Sequence, residues 1–289
     1  MTLAETDVRT GKGAGDENFP VASHLIAPKY RSAILAFYAY ARTADDVADH
    51  ETLTPEAKLA HLETLRGALV GEHDHAPVAV ALREVLAARR LSTIHAEDLL
   101  VAFRQDAVQA RYPTWEALMD YCRYSAAPVG RMVLAIHGEA ETTWPASDAL
   151  CAALQVINHL QDCGEDFQRL NRVYLPQDLM AREGVTEADL AAPAGSPGLR
   201  RLIAELARRT QALLAAGRPL AAQVRDPRLR LEVAVIQRLA EDLAAKLIAR
   251  DPLSQRVHHS KLELTALAGS ALLRAAWPGP KAGRPTTAE

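Results

Sequence analysis

The chain has 289 residues, of which 49% are apolar and 24% charged, and its formal net charge is −3. That balance excludes an intrinsically disordered chain, and an isoelectric point near 6.4 gives no electrostatic reason to expect nucleic acid as a partner. Roughly a fifth of the residues are alanine and only 5% are aromatic. Ala, Leu, Arg and Glu lose little side-chain freedom in a helix, so a mainly helical globular protein is expected.

In chain order, residues 1–17 are polar and glycine-containing. They read as a flexible N-terminus that lacks the apolar core of a secretory signal. A first helix is predicted from Pro28 to Asp49. Thr54-Pro55-Glu56 opens a second, with Pro in its first turn and Leu59, Leu62, Leu65 and Leu69 on a three-to-four spacing. Further helices are predicted at 76–90, 95–110, 114–137, 146–169, 198–216, 227–249 and 259–275. Residues 170–197, with LNRVYLP and AAPAGSPG, form the one long segment predicted to be non-helical, and 278–289 reads as a disordered tail. No alternating run predicts a strand, and no stretch approaches the ~18–20 apolar residues of a membrane-spanning helix. Cys122, Cys151 and Cys163 have no CxxC spacing and read as small buried thiols of a reduced, cytoplasmic protein. The amphipathic helices on both sides of 170–197 need one another to bury their apolar faces. The expectation is therefore an all-α protein, one helical domain over 18–277 with a central cavity.

Two helices break the apolar pattern. In FYAYARTADDVADH, Asp45 and Asp49 are four residues apart and share a face, with Asp46 beside them and Arg42 and Tyr38 continuing the stripe. In LQVINHLQDCGEDF, Asn158, Asp162 and Asp166 are again spaced by four, and Gln155 joins the row. Each run alone reads as a solvated helix end with a weak salt bridge. Two such rows on otherwise apolar helices read as oxygen ligands facing one cavity: Asp45, Asp46, Asp49, Asn158, Asp162 and Asp166. Hard divalent cations such as Mg2+ suit that set, held by one or two carboxylates together with substrate phosphates. A di-iron centre is disfavoured, because it wants Glu and Glu-x-x-His on bundle helices.

These residues resemble the helical squalene and phytoene synthases, over about residues 17–260. The two acidic motifs are Asp45-Asp46-x-x-Asp49 and Asp162-x-x-x-Asp166, and Tyr38 and Arg42 match the Y-x-x-x-R lead-in. YCRYSAAPVG supplies Tyr121, Ala126, Val129 and Gly130, LQVIN supplies Gln155 and Asn158, and NRVYLP supplies the R-x-Y tyrosine, Tyr174. DENFPVAS and NHLQDC resemble the hopanoid-pathway branch, with Gln161 where the wider family commonly has Arg. The resemblance implies an isoprenoid-synthase-like helical fold. It implies presqualene diphosphate or another prenyl diphosphate as substrate, with Mg2+ assisting loss of diphosphate and water capturing the carbocation to give hydroxysqualene. No nicotinamide is then expected. Presqualene diphosphate synthesis, reductive squalene synthesis and phytoene synthesis are the alternatives within the fold. A scaffold or lipid-binding relative is the alternative outside catalysis.

On this reading Asp45, Asp49, Asp162, Asp166, Arg42 and Tyr38 are catalytic. The rings of Tyr38, Tyr121, Tyr124 and Phe19 face the cation, an attraction worth ~0.5–2 kcal/mol each. Ala126, Ala127 and Gly130 leave room for an isoprenoid tail, with Pro128 kinking their helix. His159 reads as a satisfied core or surface histidine ahead of a water-positioning group. Arg208, Arg209, Arg228 and Arg230 are basic enough for peripheral contact with a membrane, where pathway neighbours would also meet the chain.

Overall fold

The computed structural model describes residues 26–276. Phe19, the segments flanking that range and both predicted termini lie outside the described residues. Fourteen α-helices and one 3₁₀ turn, Glu141–Thr143, account for the described chain. No strand forms among the described residues, and one isolated bridge joins Arg111 to Val173.

The helix starts follow local chemistry. Proline occupies the first turn of α1 (Pro28–Ala48), α2 (Pro55–Val70) and α3 (Pro77–Arg89), where its missing N–H costs nothing. The Thr54 hydroxyl accepts from the amide of Ala57 at the start of α2, and α2 ends at Gly71 with φ +87°. α4 (Ile94–Val108) and α5 (Trp115–Ser125) follow, α5 being capped by the Thr114 hydroxyl. The helix predicted at 114–137 is broken at Ala126, and α6 (Ala127–Ile136) starts afresh. Pro128 explains the break, because its ring excludes an amide donor and clashes with the carbonyl of Tyr124.

The predicted helix 146–169 also divides. α7 (Trp144–Gln161) and α8 (Cys163–Leu170) meet at Asp162, whose φ and ψ of −103° and 8° leave the helical range. The segment predicted to be non-helical carries α9 (Gln177–Glu183) and α10 (Glu187–Leu190), both shorter than a periodic pattern can reveal. α11 (Pro197–Gly217), α12 (Leu220–Gln223), α13 (Pro227–Ala249) and α14 (Lys261–Ala276) complete the chain.

Two main apolar clusters carry the packing. One gathers Phe37, Leu62, Leu69, Leu82 and Leu100 from α1–α4, and the other gathers Leu150, Ile157, Leu202, Leu206 and Leu243 from α7, α11 and α13. α6 contributes to both, Met132 and Ile136 to the first and Leu134 to the second. Burying side chains of this size is worth roughly 1.5–3 kcal/mol each. α1 and α7, the helices with the acidic rows, are each clamped on several sides, α1 by α3, α4 and α6 and α7 by α5, α6, α11 and α13. Their inward faces thereby border the same interior space.

Candidate active site

A cavity of about 320 Å³ is lined by Tyr38, Arg42 and Asp45 of α1, by Asp49 just after it, and by Gln155, Asn158, His159, Asp162 and Asp166 of α7, α8 and their junction. Tyr121, Val129, Arg172 and Tyr174 close it. The predicted rows therefore do face one another. A second cavity of about 370 Å³, lined by Ile34, Phe37, Gly130, Leu150, Leu154 and Ile236 among others, shares Tyr38, Ala41, Val129 and Asn158 with the first. An acidic chamber thus adjoins an apolar one through a common wall.

Within the acidic chamber Arg42 donates to Asp45 at 3.0 Å and to Asp46 at 2.7 Å. Asp46 is only 4% exposed and does not line the chamber. Its expected place among the metal ligands is corrected on that ground: it faces the core side of α1 and holds the Arg42 guanidinium. Desolvation in the chamber wall, with Asp49 adding its negative charge, pushes the Asp45 carboxyl up to about 8 despite Arg42. Burial and the neighbouring charges of Asp162 and Asp49 likewise push Asp166 up to about 8.

The remaining predicted residues divide. Tyr124 and Ala126 line neither chamber; Tyr124 packs against the second core and Ala126 is buried at the helix break. Gly130 sits in the wall of the apolar chamber, where a methyl group would overlap Ser147 Oγ and Cys151 Sγ. Cys122 and Cys163 are buried as expected, whereas Cys151 is half-buried and lines the apolar chamber. Arg209 pairs with Glu205, and Arg230 caps the Val224 carbonyl.

Three residues outside the acidic motifs complete the chemistry. Asp106 on α4 is buried and accepts from the Tyr121 hydroxyl at 2.7 Å and the Tyr174 hydroxyl at 3.1 Å. Burial pushes its carboxyl up to about 6 although Arg172 opposes the shift. Arg172 donates to Asp49 at 2.5 Å and to the carbonyls of Ala48 and Asp106 at 2.9 and 3.1 Å. Glu232, 4% exposed, is the one carboxylate among the described residues lining the apolar chamber. Asp106 and Glu232 carry no sequence signal, being acids outside any acidic row on helices that bear other acids; Arg172 had one, as the arginine of the R-x-Y segment. His159 is buried as a core histidine but is not satisfied, since its Nε2 meets no hydrogen-bond partner.

The donor set fits hard divalent cations: half-buried carboxylates whose negative charges raise one another's proton affinity are those a cation relieves. Asp45, Asp49, Asn158, Asp162 and Asp166 are the residues able to hold them. No three His, Cys, Asp or Glu side chains among the described residues converge on one point. Ions here would take one or two carboxylates each, with phosphate and water oxygens filling the remaining positions.

Known proteins resemble the chain over most of its length. The family model described as squalene/phytoene synthase matches residues 13–263. The chain is 52% identical to a hydroxysqualene synthase of Rhodopseudomonas palustris, over 91% of this chain and 90% of the relative. It is also 52% identical to the hydroxysqualene synthase of Zymomonas mobilis, over 90% and 88%. The crystal structure of squalene synthase HpnC from Alicyclobacillus acidocaldarius superposes with a TM-score of 0.69 at 38% identity, covering 78% of this chain and 86% of that one. A dehydrosqualene synthase shares the fold, with a TM-score of 0.77 at 23% identity over 93% and 94% of the two chains.

Proposed function

The chain belongs to the squalene/phytoene synthase family, and from that membership we propose that it is a hydroxysqualene synthase, cleaving diphosphate from presqualene diphosphate and adding water. The choice of product is supported by the 52% identity to hydroxysqualene synthases over nine-tenths of both chains. The chemistry is carried by one observation, the wall shared between the acidic and apolar chambers. A diphosphate in the first leaves a hydrocarbon tail in the second without either being mismatched to its surroundings.

Mg2+ bound to Asp45, Asp49, Asn158, Asp162 and Asp166 would act as a Lewis acid on the departing diphosphate. Arg42, held by Asp45 and Asp46, keeps a positive charge in the chamber wall on the side of the first acidic row. Tyr121 and Tyr174 line the chamber where positive charge would develop on carbon, and both give their hydroxyls to Asp106, which lines it as well. Their phenols are also held well above the usual range, first by burial and then by the charge of Asp106, so they stay protonated. The apolar chamber excludes bulk water from the rest of the chain. As a carbon–oxygen bond to phosphate is broken and water is added, the enzyme is a lyase in type; a coupling of two prenyl diphosphates would make it a transferase.

Incubation with presqualene diphosphate and Mg2+, with and without NADPH, tests the reading by product mass. Hydroxysqualene in both reactions is the expected result, and squalene formed only with NADPH overturns it. Peripheral contact with the inner face of the membrane remains part of the proposal, supported by the greasy substrate; no helix of the described residues is long and apolar enough to cross a membrane.

A further inference from the structure

One wall of the apolar chamber is α13, and the same helix also walls a groove of about 500 Å³ that lies outside both chambers. Val233 is the residue common to the two linings. On the chamber side it stands with Leu229 and Ile236, and on the groove side with the small residues Gly217, Ala221 and Ala222. Three arginines rim the groove: Arg218 at the end of α11, and Arg230 and Arg238 on α13. Arg230, Ala234 and Arg238 recur at every fourth residue, so they form one stripe of the helix, with the two arginines ~12 Å apart along its axis. Of the four arginines singled out in the sequence, Arg230 lines this groove, whereas Arg208, Arg209 and Arg228 do not.

Among the described residues lining the groove, Glu241 is the one carboxylate. It accepts from Arg218 at 2.8 Å and stands 3.9 Å from Arg238, while Arg230 donates to the carbonyl of Val224. Three guanidinium groups against one carboxylate leave a surplus of two positive charges, on a chain whose formal net charge is −3. The Arg218 side chain is 66% exposed, so its charge is open to a partner from outside. A floor of small apolar side chains under a cationic rim is complementary to an anionic amphiphile. Guanidinium forks match phosphate oxygens, and arginines at the surface of a bilayer are drawn to its anionic lipids.

We propose that this groove is the surface by which the protein docks on a membrane, its arginines taking the phosphate headgroups of anionic phospholipids. The inference deepens the hydroxysqualene synthase reading above and rests on it for the substrate, an amphiphile that a bilayer holds. Docking here sets α12 and α13 against the lipid. Leu220 of α12 and Leu229, Val233 and Ile236 of α13 line the apolar chamber, so the helices that meet the bilayer are the ones that wall the space for the hydrocarbon tail.

The test sediments the full chain with vesicles of phosphatidylcholine alone and of an equal mixture with phosphatidylglycerol. Wild type is expected to bind the mixed vesicles and not the neutral ones. Arg218→Gln with Arg238→Gln should lower the affinity for mixed vesicles about tenfold or more. Arg123→Gln with Arg201→Gln removes the same charge from exposed ion pairs elsewhere and should leave that affinity near wild type. In the groove variant, turnover of detergent-dispersed presqualene diphosphate should be unchanged and turnover of vesicle-borne substrate should fall. If that variant does not fold, Ala222→Glu takes its place, adding a carboxylate at an exposed position of the groove without removing a charge pair. Wild-type affinity in the groove variant, an equal loss in the control pair, or wild-type protein that ignores mixed vesicles or binds neutral ones equally well overturns the proposal. Selective binding by a wild type that makes no hydroxysqualene in detergent is a different result, which removes the functional reading and leaves the docking surface standing.

Discussion

The guanidinium of Arg172 meets the carboxylate of Asp49 at 2.5 Å and so ties the turn after α8 to the end of α1. The same side chain donates to the backbone carbonyls of Ala48 and Asp106, which brings α4 into the clamp. One buried cation therefore sets the spacing of the three segments that carry Asp49, Asp106 and Tyr174. Burial lowers the proton affinity of Arg172, but Asp106, Tyr174 and Asp49 raise it further, and the group stays charged.

Removing that cation leaves buried carboxylates without compensation. Arg172→Met is expected to lower stability by about 3–5 kcal/mol, the range for breaking one side of a buried ion pair. Urea denaturation measures it. Arg172→Lys should recover part of the loss, because a lysine restores charge but not the fork of donors.

Asp45→Asn should separate stability from activity. Burial and Asp49 make its carboxylate costly to ionise, so the amide should raise the thermal midpoint of metal-free protein by a few degrees. Diphosphate release should fall on the order of 10²–10³-fold, the size seen when a group that stabilises developing charge is removed. Asp162→Asn should share the second effect, and chelating Mg2+ should stop the wild-type reaction reversibly. A variant that is both slower and less stable would contradict the electrostatic account.

Asp251 is one source of acid sensitivity away from the site. Burial pushes the Asp251 carboxyl up, but hydrogen bonds from Ser254, Gly195 and Leu253 outweigh it and hold the group below the usual range. Unfolded chain then binds this proton at a higher pH than folded chain does, so the contribution is full above the ordinary Asp range near pH 4. It is lost as pH falls through the folded value. Asp251→Asn should cost about 1–2 kcal/mol at pH 7 and make stability less steep below pH 4. Melting curves from pH 3 to 7 on both proteins check the slope.

Gly130→Ala should force α6 away from α7, because the added methyl overlaps Ser147 Oγ and Cys151 Sγ. Overpacking of this kind costs about 1–3 kcal/mol. Adding Cys151→Ala should return part of it by removing one of the two obstacles. Non-additive midpoints in the double-mutant cycle are the expected signature.

The helices were legible in the sequence because alanine and leucine recur on one face for whole turns. Their interruptions were not, since the apolar spacing runs on through Ala126 and Asp162 while the backbone departs from the helix. Pro128 carried a partial signal, a kink expected where a full break occurs. At the site, Asp45, Asp49, Asp162 and Asp166 could be read because rows of like charge on apolar helices are anomalous. Asp106 could not, because one acid in IHAEDLLVAFRQDAV is indistinguishable from Glu97 or Asp98 until Tyr121 and Tyr174 converge on it. Asp46 misled for the converse reason: adjacency in sequence put it in the motif, and 100° of rotation per residue turned it into the core.

The discontinuity at Asp162 divides the second acidic row among separately supported pieces. Asn158 belongs to long α7, Asp162 is the pivot, and Asp166 rides on α8, an arm of eight residues. Gly164 lets that arm lie directly against Leu253 and the carbonyl of Leu190, where an added methyl would displace the Leu253 side chain. Substitutions at Leu253 or in the 187–190 turn can therefore swing one oxygen donor while its companions stay anchored, a fine adjustment that an unbroken rod would transmit to the entire row.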